Sequence, residues 1–506
     1  MKSRTFWLWL IVIALAGLAI RVDIGARTYV DFDEWQHLFM ASSPRWADLA
    51  FELRANAHPP LFFFLLGWVE RLGQPALYRA ISIAAGTGSI VMVGLIARRL
   101  FESPLMQLAC PAAFAFSIDA VRISDEIRSY QLAIFFVLVA FYAWLEMRSE
   151  SLRACILFAV FSSLALLSHY SAIFFVAACA ILTLTRLRLR SVVALGVPLI
   201  LFVAEYFLHA EAQDQQGYLF DFYFGKTAGE GVFAFLLRNL RNFFNLFSPF
   251  HLTSILLAAV AVAVLCALAA WAGRGKSKPV ILAAGVIVLE MMAAAILGQY
   301  PFGGMLRHQY IAGPFLLLAA FAVLDRLSRK LPRAVIPALA LGASVAGFAT
   351  QRADLIHYPD TVLRTEQYRA WRAAFPHAPA VYVDHWGVIA YFIHTSTEPR
   401  TFVRHIPDAA NIDEYRTPDG IHIFYDKSRD VADLADPALY ASIASCLRTS
   451  GLSEITIFLL SPGGAPPALH DGQLESIMID LAAGHGLRLT RLAPGPDYAA
   501  AGFTLR

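Results

Sequence analysis

The stretch Thr-Tyr-Val-Asp-Phe-Asp-Glu-Trp-Gln-His, residues 28–37, follows the first hydrophobic segment and concentrates charge in a mostly apolar chain. It brings the carboxylates of Asp31, Asp33 and Glu34 close in sequence to the imidazole of His37. Carboxylates at a membrane edge lose solvation free energy unless they stay hydrated or bind a ligand. The stretch is therefore a candidate functional site; the alternative is a hydrated loop that follows a membrane helix.

The composition is that of an integral membrane protein. Of the 506 residues, 58% are hydrophobic and 16% are charged, and the mean hydropathy is +0.57. Soluble globular proteins carry roughly 25% charged residues. Apolar runs of about 18–20 residues recur along the chain and are long enough to cross a bilayer. The net charge of +3 is too small to indicate nucleic-acid binding.

The cysteines indicate neither a disulfide framework nor a metal site. Four of the five lie inside apolar runs, only Cys446 lies in a predicted soluble region, and no CxxC spacing occurs. At the N-terminus, Lys2 and Arg4 precede the apolar run 6–20, and no convincing cleavage site comes before the acidic stretch. This pattern predicts an uncleaved signal anchor.

About eleven apolar runs predict membrane spans. Their ranges are 6–22, 77–97, 104–121, 129–147, 154–168, 170–185, 192–208, 252–272, 279–298, 309–325 and 334–350. Lys and Arg residues cluster in every second loop, so the positive-inside rule places those loops in the cytoplasm and the C-terminus outside. The segment 58–72 has too few apolar residues to cross about 30 Å of hydrocarbon. We interpret it as an interfacial or re-entrant helix on the outer face.

This topology gathers the reactive side chains in the outer loops. They are Asp31, Asp33, Glu34, His37 and His58 in the first outer loop; Asp119, Arg122, Asp125, Glu126, Arg128 and Tyr130 in the second; and later His169, Tyr170, Arg307 and Tyr310. The long loop 209–251 has a polar half and an aromatic half, which suits either a cover over a lipid substrate or an interfacial anchor. The pattern favours a site at the membrane surface over a path through the membrane.

The composition changes after residue 350. Strand-like runs at 380–383, 421–425, 454–460 and 487–492 alternate with helix-like runs at 365–375, 431–446 and 472–485. This alternation predicts a soluble α/β domain over residues 351–506, outside the membrane. Residues 1–350 form the predicted transmembrane domain.

The outer-loop residues are suited to group transfer from a lipid phosphate. A carboxylate can take the proton of an attacking hydroxyl or amine, or several together can hold a hard divalent cation. Arginine offers a bidentate clamp for phosphate. The alternative is that Asp125 and Glu126 form ion pairs with Arg122 and Arg128 at helix ends, where such pairs contribute little free energy.

In their order along the chain, these features resemble the polytopic GT-C glycosyltransferases. The similar branch holds the protein O-mannosyltransferases, the lipid A aminoarabinose transferases and the rhizobial lipopolysaccharide galacturonosyltransferases. The resemblance covers residues 6–320, and it rests on Asp33-Glu34, His58 to Leu61, Leu77 to Ser82, Arg98 to Phe101, Ser124 to Tyr130, His169-Tyr170, and Tyr300 to Gly304 with Arg307.

The resemblance implies roles for individual residues. Asp33 would be the catalytic base or a metal-contacting group, with Glu34 beside it and Glu126 as the acid of the second outer turn. The implied substrate-binding residues are His58, Asp125, Arg128, Tyr130, His169, Tyr170, Arg307 and Tyr310. Metal dependence varies within the superfamily, so a divalent cation (Mg²⁺ or Mn²⁺) at Asp33 and Glu126 is left open.

The resemblance also implies a substrate class and a location. The donor would be a polyprenyl-phosphate hexose or pentose, and the acceptor an envelope lipid, glycan or protein. Transfer would proceed with inversion on the extracytoplasmic face of a bacterial inner (plasma) membrane. This interpretation requires acids from distant parts of the chain, Asp33 and Glu126 above all, to meet at one donor.

Two other classes of protein are compatible with the same number of spans. A lipid or solute transporter, or flippase, would carry polar groups at mid-membrane and internal repeats. Glu290 is the ionisable residue closest to the middle of a predicted span, and we expect it to pair with a neighbouring helix. A non-catalytic envelope scaffold would leave the paired acidic turns without a role.

The predicted topology can be measured with a reporter enzyme that is active only outside the cytoplasm. We expect activity from a fusion after residue 350, because the basic loops place that point outside. A matched fusion within the basic loop 186–190 should be inactive. Cytoplasmic location of the first reporter would overturn the topology.

Overall fold

The computed structural model describes two compact units. It covers residues 3–28, 30–43, 46, 49, 53, 58–147, 151–184, 188–209, 221–226, 229–247, 267, 271, 273, 275–332, 334–356, 361–395, 401–406, 411–429, 431–460, 473–495 and 498–506. The first unit, here called the membrane unit, comprises Met1–Tyr29 and Asn56–His357. The second, here called the α/β unit, comprises Val30–Ala55 and Tyr358–Arg506. The acidic stretch of the first loop therefore groups with the C-terminal part of the chain.

The described part of the membrane unit is helical. In chain order its helices are α1 (Ser3–Gly25), α3 (Leu61–Glu70), α4 (Ala80–Leu100), α5 (Met106–Ala115), α6 (Ile118–Asp125), α7 (Tyr130–Met147), α8 (Leu152–Ser168), α9 (Ala172–Thr183), α10 (Leu189–Leu208), α11 (Val232–Phe247), α12 (Lys278–Ile296), α13 (Leu306–Gln309), α14 (Gly313–Ser328) and α15 (Val335–Gln351). The remaining early helix, α2 (Phe32–Ala41), belongs to the α/β unit.

The helices confirm the polytopic fold class. Among the described residues, six helices are long and apolar enough to cross a membrane, or seven if α5 and α6 form one span bent by 49°. The shorter apolar helices are α3, α8 and α9. A helix covers most of each predicted span, except that 252–272 lies almost wholly outside the described residues. The predicted span 104–121 is broken because Ser117 caps a new helix by accepting a hydrogen bond from the Ala120 N–H.

The core of the membrane unit consists of apolar side chains from helices distant in sequence. The Phe141 and Phe315 rings lie 5.1 Å apart edge to face, and Phe315 stacks on Phe175 at 5.7 Å. Aromatic pairs in these arrangements add stability beyond the area they bury. Helices α7, α9 and α14 are thereby joined at the centre of the unit.

Arg21 is a fully buried cation that ties α1 to the broken helix pair. Its Nε donates to Ser124 Oγ at 3.0 Å, and its Nη1 donates to the carbonyls of Gly17 and Ala115 at 3.1 and 3.3 Å. A side chain at Gly86 would overlap Ser124 Oγ and place its Cβ 2.8 Å from Arg21 Nε. Glycine at 86 therefore leaves the room that this hydrogen-bond group needs.

The α/β unit contains a mixed sheet. Its strands are β1 (Ala380–Val383), β2 (Thr401–His405), β3 (Ile412–Arg416), β4 (His422–Asp426), β5 (Glu454–Leu460), β6 (Leu487–Leu492) and β7 (Tyr498–Leu505), in the order β2-β3-β4-β1-β5-β7-β6. Strand β1 is parallel to β4 and β5, and the other pairs are antiparallel. The helices are α2 with α16 (Thr361–Ala374), α17 (His385–Thr395), α18 (Pro437–Ser450) and α19 (Gln473–Gly484). The expected C-terminal α/β fold is confirmed.

The packing around Gly86 yields a stability prediction. Gly86→Ala should lower the free energy of unfolding by about 1–3 kcal/mol, because the added methyl group overpacks the Ser124–Arg21 contact. The matched control is Gly285→Ala in α12, where no atom lies within 4 Å of an added Cβ. That change should be neutral or stabilise by up to about 1 kcal/mol. Thermal unfolding of the full chain in detergent measures both, and equal midpoints for the two variants would contradict the prediction.

Candidate active site

Three aromatic side chains from separate parts of the membrane unit meet in one group. The His169 ring lies 4.7 Å from that of Tyr130 and 5.4 Å from that of His58, and the His58 and Tyr130 rings are 5.7 Å apart. His58 precedes α3, Tyr130 begins α7, and His169 links α8 to α9. The sequence predicted all three as substrate-binding residues, and the structure brings them together.

Arg128 adjoins these rings, and the charge of Arg307 acts on one of them. Arg128 Nη1 donates to the Tyr130 hydroxyl at 3.4 Å, and the Arg128 guanidinium lies 6.0 Å from the Tyr130 ring centre. The charges of Arg307 and Glu126 also act on the Tyr130 hydroxyl. We call His58, Arg128, Tyr130, His169 and Arg307 the arginine–histidine cluster, with Glu126 at its edge.

The electrostatics of the cluster hold His169 neutral. Burial and the nearby Arg128 charge lower the pKa of His169 from 6.5 to about 3. The Ser171 N–H donates to His169 Nδ1 at 3.1 Å, so that nitrogen is an acceptor and the proton resides on Nε2. His169 can therefore donate a hydrogen bond from Nε2 without being charged.

Short hydrogen-bonded turns position the cluster. Glu126 ends α6 in an extended conformation, and the Ser82 hydroxyl donates to the Arg128 carbonyl at 3.3 Å. On the other side, the Tyr300 hydroxyl donates to the His308 carbonyl at 2.7 Å, which fixes the turn that carries Arg307. These backbone contacts fix the polypeptide next to both arginines.

The Tyr300-to-Gly304 turn is fixed by a close backbone approach. Gly303 has a φ of +78°, and a Cβ there would collide with the backbone of Asn239 on α11. Phe302 stacks on Phe243 of the same helix at 5.1 Å. Only glycine combines that backbone conformation with so close a contact.

Asp125 has a structural environment that differs from that of its neighbour Glu126. Arg79 Nε donates to the Asp125 carbonyl at 2.7 Å and lies 3.3 Å from its Oδ1, with both side chains buried. The ion pair therefore joins Asp125 to the start of α4. The alternative drawn from the sequence, that the acids of this turn serve as structural ion-pair partners, fits Asp125 in part, with Arg79 as the partner.

Two other predicted substrate-binding residues have contacts away from these rings. The Tyr170 hydroxyl is hydrogen-bonded to His209 Nδ1. The Tyr310 ring stacks on Phe247 at 6.4 Å, and its hydroxyl interacts electrostatically with Asp119 and Arg21. Their roles in substrate binding stay predictions.

The acidic stretch forms helix α2. Asp31 caps it: Asp31 Oδ1 accepts from the Glu34 N–H at 2.7 Å, and Glu34 Oε2 accepts from the Asp31 N–H at 2.8 Å. This reciprocal arrangement is a capping box, so the Glu34 carboxylate has a structural role. His37 Nδ1 lies 2.8 Å from the Asp33 carbonyl oxygen. Asp33 is half-buried, and its charge acts on His385, the first residue of α17.

The predicted acids divide between the two units. Asp33 and Glu34 belong to the α/β unit, and Glu126 belongs to the membrane unit. Over the described residues, no group of three or more His, Cys, Asp or Glu side chains could hold a metal ion. The divalent cation and the meeting of Asp33 with Glu126 both stay predictions.

Glu290 lies on α12, as the sequence indicated. Within the part of the chain that the structure describes, both of its carboxylate oxygens are buried and have no hydrogen-bond partner. Among the described residues, no hydrogen bond therefore supports the expected pairing of Glu290 with a neighbouring helix. A single carboxyl group does not define a route across the membrane.

The sequence analysis did not assign His308, Arg79 or His385 to the site. Arg307, Arg128 and His169 all act electrostatically on His308, which places it at the edge of the arginine–histidine cluster. The Arg-His pair at 307–308 was a usable signal, because it puts an imidazole next in sequence to a guanidinium that was already assigned to the site. Nothing in the local sequence connects Arg79 to Asp125, or His385 to Asp33.

The fold of this chain is similar to that of solved GT-C membrane proteins. Among solved structures that match, ArnT from Cupriavidus metallidurans in the apo state has a TM-score of 0.53 at 12% identity, over 99% of this chain and 98% of that chain. ArnT bound to undecaprenyl phosphate has a TM-score of 0.51 at 11% identity, with the same coverage. At these identities the likeness establishes the fold alone.

A third match is more distant. The Saccharomyces cerevisiae protein O-mannosyltransferase Pmt1-Pmt2 complex bound to the sugar donor has 17% identity and a TM-score of 0.33, over 46% of this chain and 38% of that chain. That likeness is too low to support an argument. No family model matches the sequence, and no curated protein matches it.

The neutral state of His169 yields a pH prediction. Because its pKa is lowered to about 3 in the native protein, the unfolded chain binds this proton at higher pH than the folded chain does. The stability associated with neutral His169 is complete above pH 6.5 and is lost as the pH falls from 6.5 towards about 3. His169→Asn should therefore lose less stability than the wild type between pH 6.5 and about pH 4.

Thermal unfolding at a series of pH values measures this difference. The control is His377→Asn, which replaces an exposed imidazole of the α/β unit and should keep the wild-type pH dependence. Parallel curves for His169→Asn and the wild type would refute the assignment of a neutral, buried His169.

Proposed function

We propose that the protein is a membrane glycosyltransferase. It moves a hexose or pentose from a polyprenyl-phosphate donor to an envelope acceptor on the extracytoplasmic face of a bacterial inner membrane, with inversion. The observation that carries the proposal is the arginine–histidine cluster in a GT-C fold: the Arg128 charge acts on the neutral His169 imidazole, and the Arg128 and Arg307 charges both act on the Tyr130 hydroxyl.

The cluster has the chemistry to bind the donor's phosphate. Arg128 and Arg307 supply planar donors that match phosphate oxygens in pairs. His169 supplies an uncharged N–H donor, since its proton is on Nε2. These groups would stabilise the negative charge that grows on the phosphate as the bond to the sugar breaks.

The proposed reaction is a single displacement. A hydroxyl or amine of the acceptor attacks the anomeric carbon, and the bond from that carbon to the phosphate oxygen breaks. The electron pair of that bond leaves with the polyprenyl phosphate, and the acceptor's proton passes to a carboxylate. We assign this proton to Asp33, and Glu126, at the edge of the cluster, is the alternative base.

The choice of donor has support from the structures with the same fold. ArnT was solved with undecaprenyl phosphate, a polyprenyl phosphate. A lipid-linked donor also suits a site carried by a membrane unit, because the lipid is already in the bilayer. The divalent cation left open at Asp33 and Glu126 has no ligand group of three among the described residues, and the proposed step does not pass through it.

Lipid mass spectrometry on a deletion strain tests the proposal. We expect the strain to accumulate a glycosyl polyprenyl phosphate and an acceptor that lacks one sugar. Complementation with the wild type should restore the acceptor, whereas Arg128→Ala should reduce transfer on the order of 10²–10³-fold through loss of a charge-stabilising donor. Asp33→Asn should also fail to restore it, because an amide cannot take the proton.

The control is Arg27→Ala, which removes a cation from an exposed ion pair with Asp23 and should restore the acceptor fully. Immunoblots of membrane fractions establish equal insertion of every variant. Glu126→Gln distinguishes the two candidate bases. An unchanged lipid profile in the deletion strain, or full restoration by Arg128→Ala, would contradict the proposal.

A further inference from the structure

Asn239 is a fully buried amide in the middle of helix α11. Its side-chain oxygen and nitrogen are both shielded from solvent, and over the part of the chain that the structure describes neither atom has a hydrogen-bond partner. Buried polar groups of folded proteins are as a rule hydrogen-bonded, and an amide buried without partners destabilises the fold. The Asn239 side chain is therefore a candidate contact for a ligand.

The face of α11 that carries Asn239 packs on the turn between α12 and α13. Phe235, Asn239 and Phe243 follow one another at one-turn spacing and are the buried residues of this helix. Phe243 stacks on Phe302 of the turn at 5.1 Å. The Asn239 backbone lies so close to Gly303 that a Cβ on this glycine would collide with it. The amide therefore belongs to the surface that α11 presents to the turn.

The segment that follows Gly303 has further unused hydrogen-bonding groups. Gln309 is a second fully buried amide, and its Nε2 donates to the Pro301 carbonyl at 2.8 Å. Its Oε1 is buried, and no described residue donates to it. The neighbouring His308 has a buried Nδ1 that likewise has no partner among those residues. These groups flank Arg307 and share its segment of the chain with the glycine that contacts α11.

Among the parts of a glycosyl polyprenyl phosphate, the sugar matches the Asn239 amide best. The amide has an N–H donor group and a carbonyl acceptor, and each sugar hydroxyl both donates and accepts. A phosphate has only acceptor oxygens, so it would leave Asn239 Oδ1 without a partner, and the polyprenyl chain has no polar group. Two neighbouring hydroxyls of one ring can satisfy both atoms of the amide.

We propose that Asn239 binds neighbouring hydroxyl groups of the donor sugar and thereby contributes to the choice of sugar. The inference rests on the proposed function, in which Arg128 and Arg307 bind the phosphate to which this sugar is attached. A sugar that reaches the amide enters between α11 and the turn at Phe302 and Gly303. Such a site rejects a sugar that lacks these hydroxyls, because the buried amide would then stay unpaired.

The first test compares stability with activity. Asn239→Leu replaces the amide by an apolar side chain of similar size and should raise the midpoint of thermal unfolding of the purified full chain. In the complemented deletion strain it should lower acceptor modification roughly 10- to 100-fold, because the donor's hydroxyls lose their partner. The control is Asn242→Leu on the same helix, where Asn242 Oδ1 accepts from Arg241 at 3.1 Å. It should keep wild-type modification without the gain in stability.

The second test measures lipid binding without turnover. Native mass spectrometry of the full chain compares the retention of undecaprenyl phosphate with that of the glycosyl polyprenyl phosphate extracted from the deletion strain. Asn239→Leu should weaken retention of the glycosylated lipid roughly 10- to 100-fold and leave that of undecaprenyl phosphate unchanged. Asn239→Ala, which removes the amide without filling its space, should give the same selective loss. Arg128→Ala should weaken the retention of both lipids.

The outcomes separate this inference from the proposed function. Unchanged retention of the glycosylated lipid by Asn239→Leu, or equal weakening for both lipids, would overturn the sugar contact and leave the proposed function standing. Lower stability together with lower activity in both Asn239 variants, at unchanged retention, would assign the amide a structural role. A wild-type protein that retains neither lipid would contradict the proposed function, and the inference with it. Loss confined to the glycosylated lipid supports the inference.

Discussion

One constraint shapes the membrane unit around α6: a charge carried into apolar surroundings is stabilised by partners inside the protein. Fully buried Arg21 meets this constraint with the Ser124 hydroxyl and two backbone carbonyls. Buried Arg79 meets it with Asp125. Both arginines therefore fasten their helices to α6 and its end. The turn that follows α6 carries Glu126. The contacts of Arg21 and Arg79 with α6 and its end fix the position of this turn.

The candidate site is built at the ends of rigid elements. Glu126 and Arg128 follow α6, His169 lies between two helices, and Arg307 lies on a single helical turn. Side chains on short connections between packed helices combine a fixed backbone with access to a ligand. The same low-dielectric surroundings that make Arg128 costly to bury would also strengthen its interaction with the proposed donor phosphate. Charge and burial therefore act together at this turn.

The sequence was most informative where the physics is local. Apolar runs located most helices of the membrane unit, although α11 lies within the predicted loop 209–251. Strands β1 and β5 were predicted at their observed bounds because fully buried strands are continuous hydrophobic runs. Strands β2, β3 and β7 were missed, the first two because they carry charges. Buried Glu414 of β3 accepts from Arg404 of β2 at 2.6 Å and from His422 of β4 at 2.6 Å. Strand β3 therefore shows no alternation of apolar and polar residues, because its buried Glu414 pairs with side chains of the two neighbouring strands. The ion pair of Arg79 with Asp125 also joins residues that are distant in sequence, so the local sequence could not predict it.

The acidic stretch shows how three similar carboxylates acquire different roles. The side chains of Asp31 and Glu34 are committed to the capping box at the start of α2. Asp33 lies in the first helical turn, where the helix dipole favours a negative charge, and the imidazole of His385 lies within range of that charge. A capping box fixes the helix start by satisfying its free N–H groups. The two flanking acids therefore fix the backbone that carries Asp33. The sequence alone could not assign these roles, because they depend on which carboxylates cap the start of the helix.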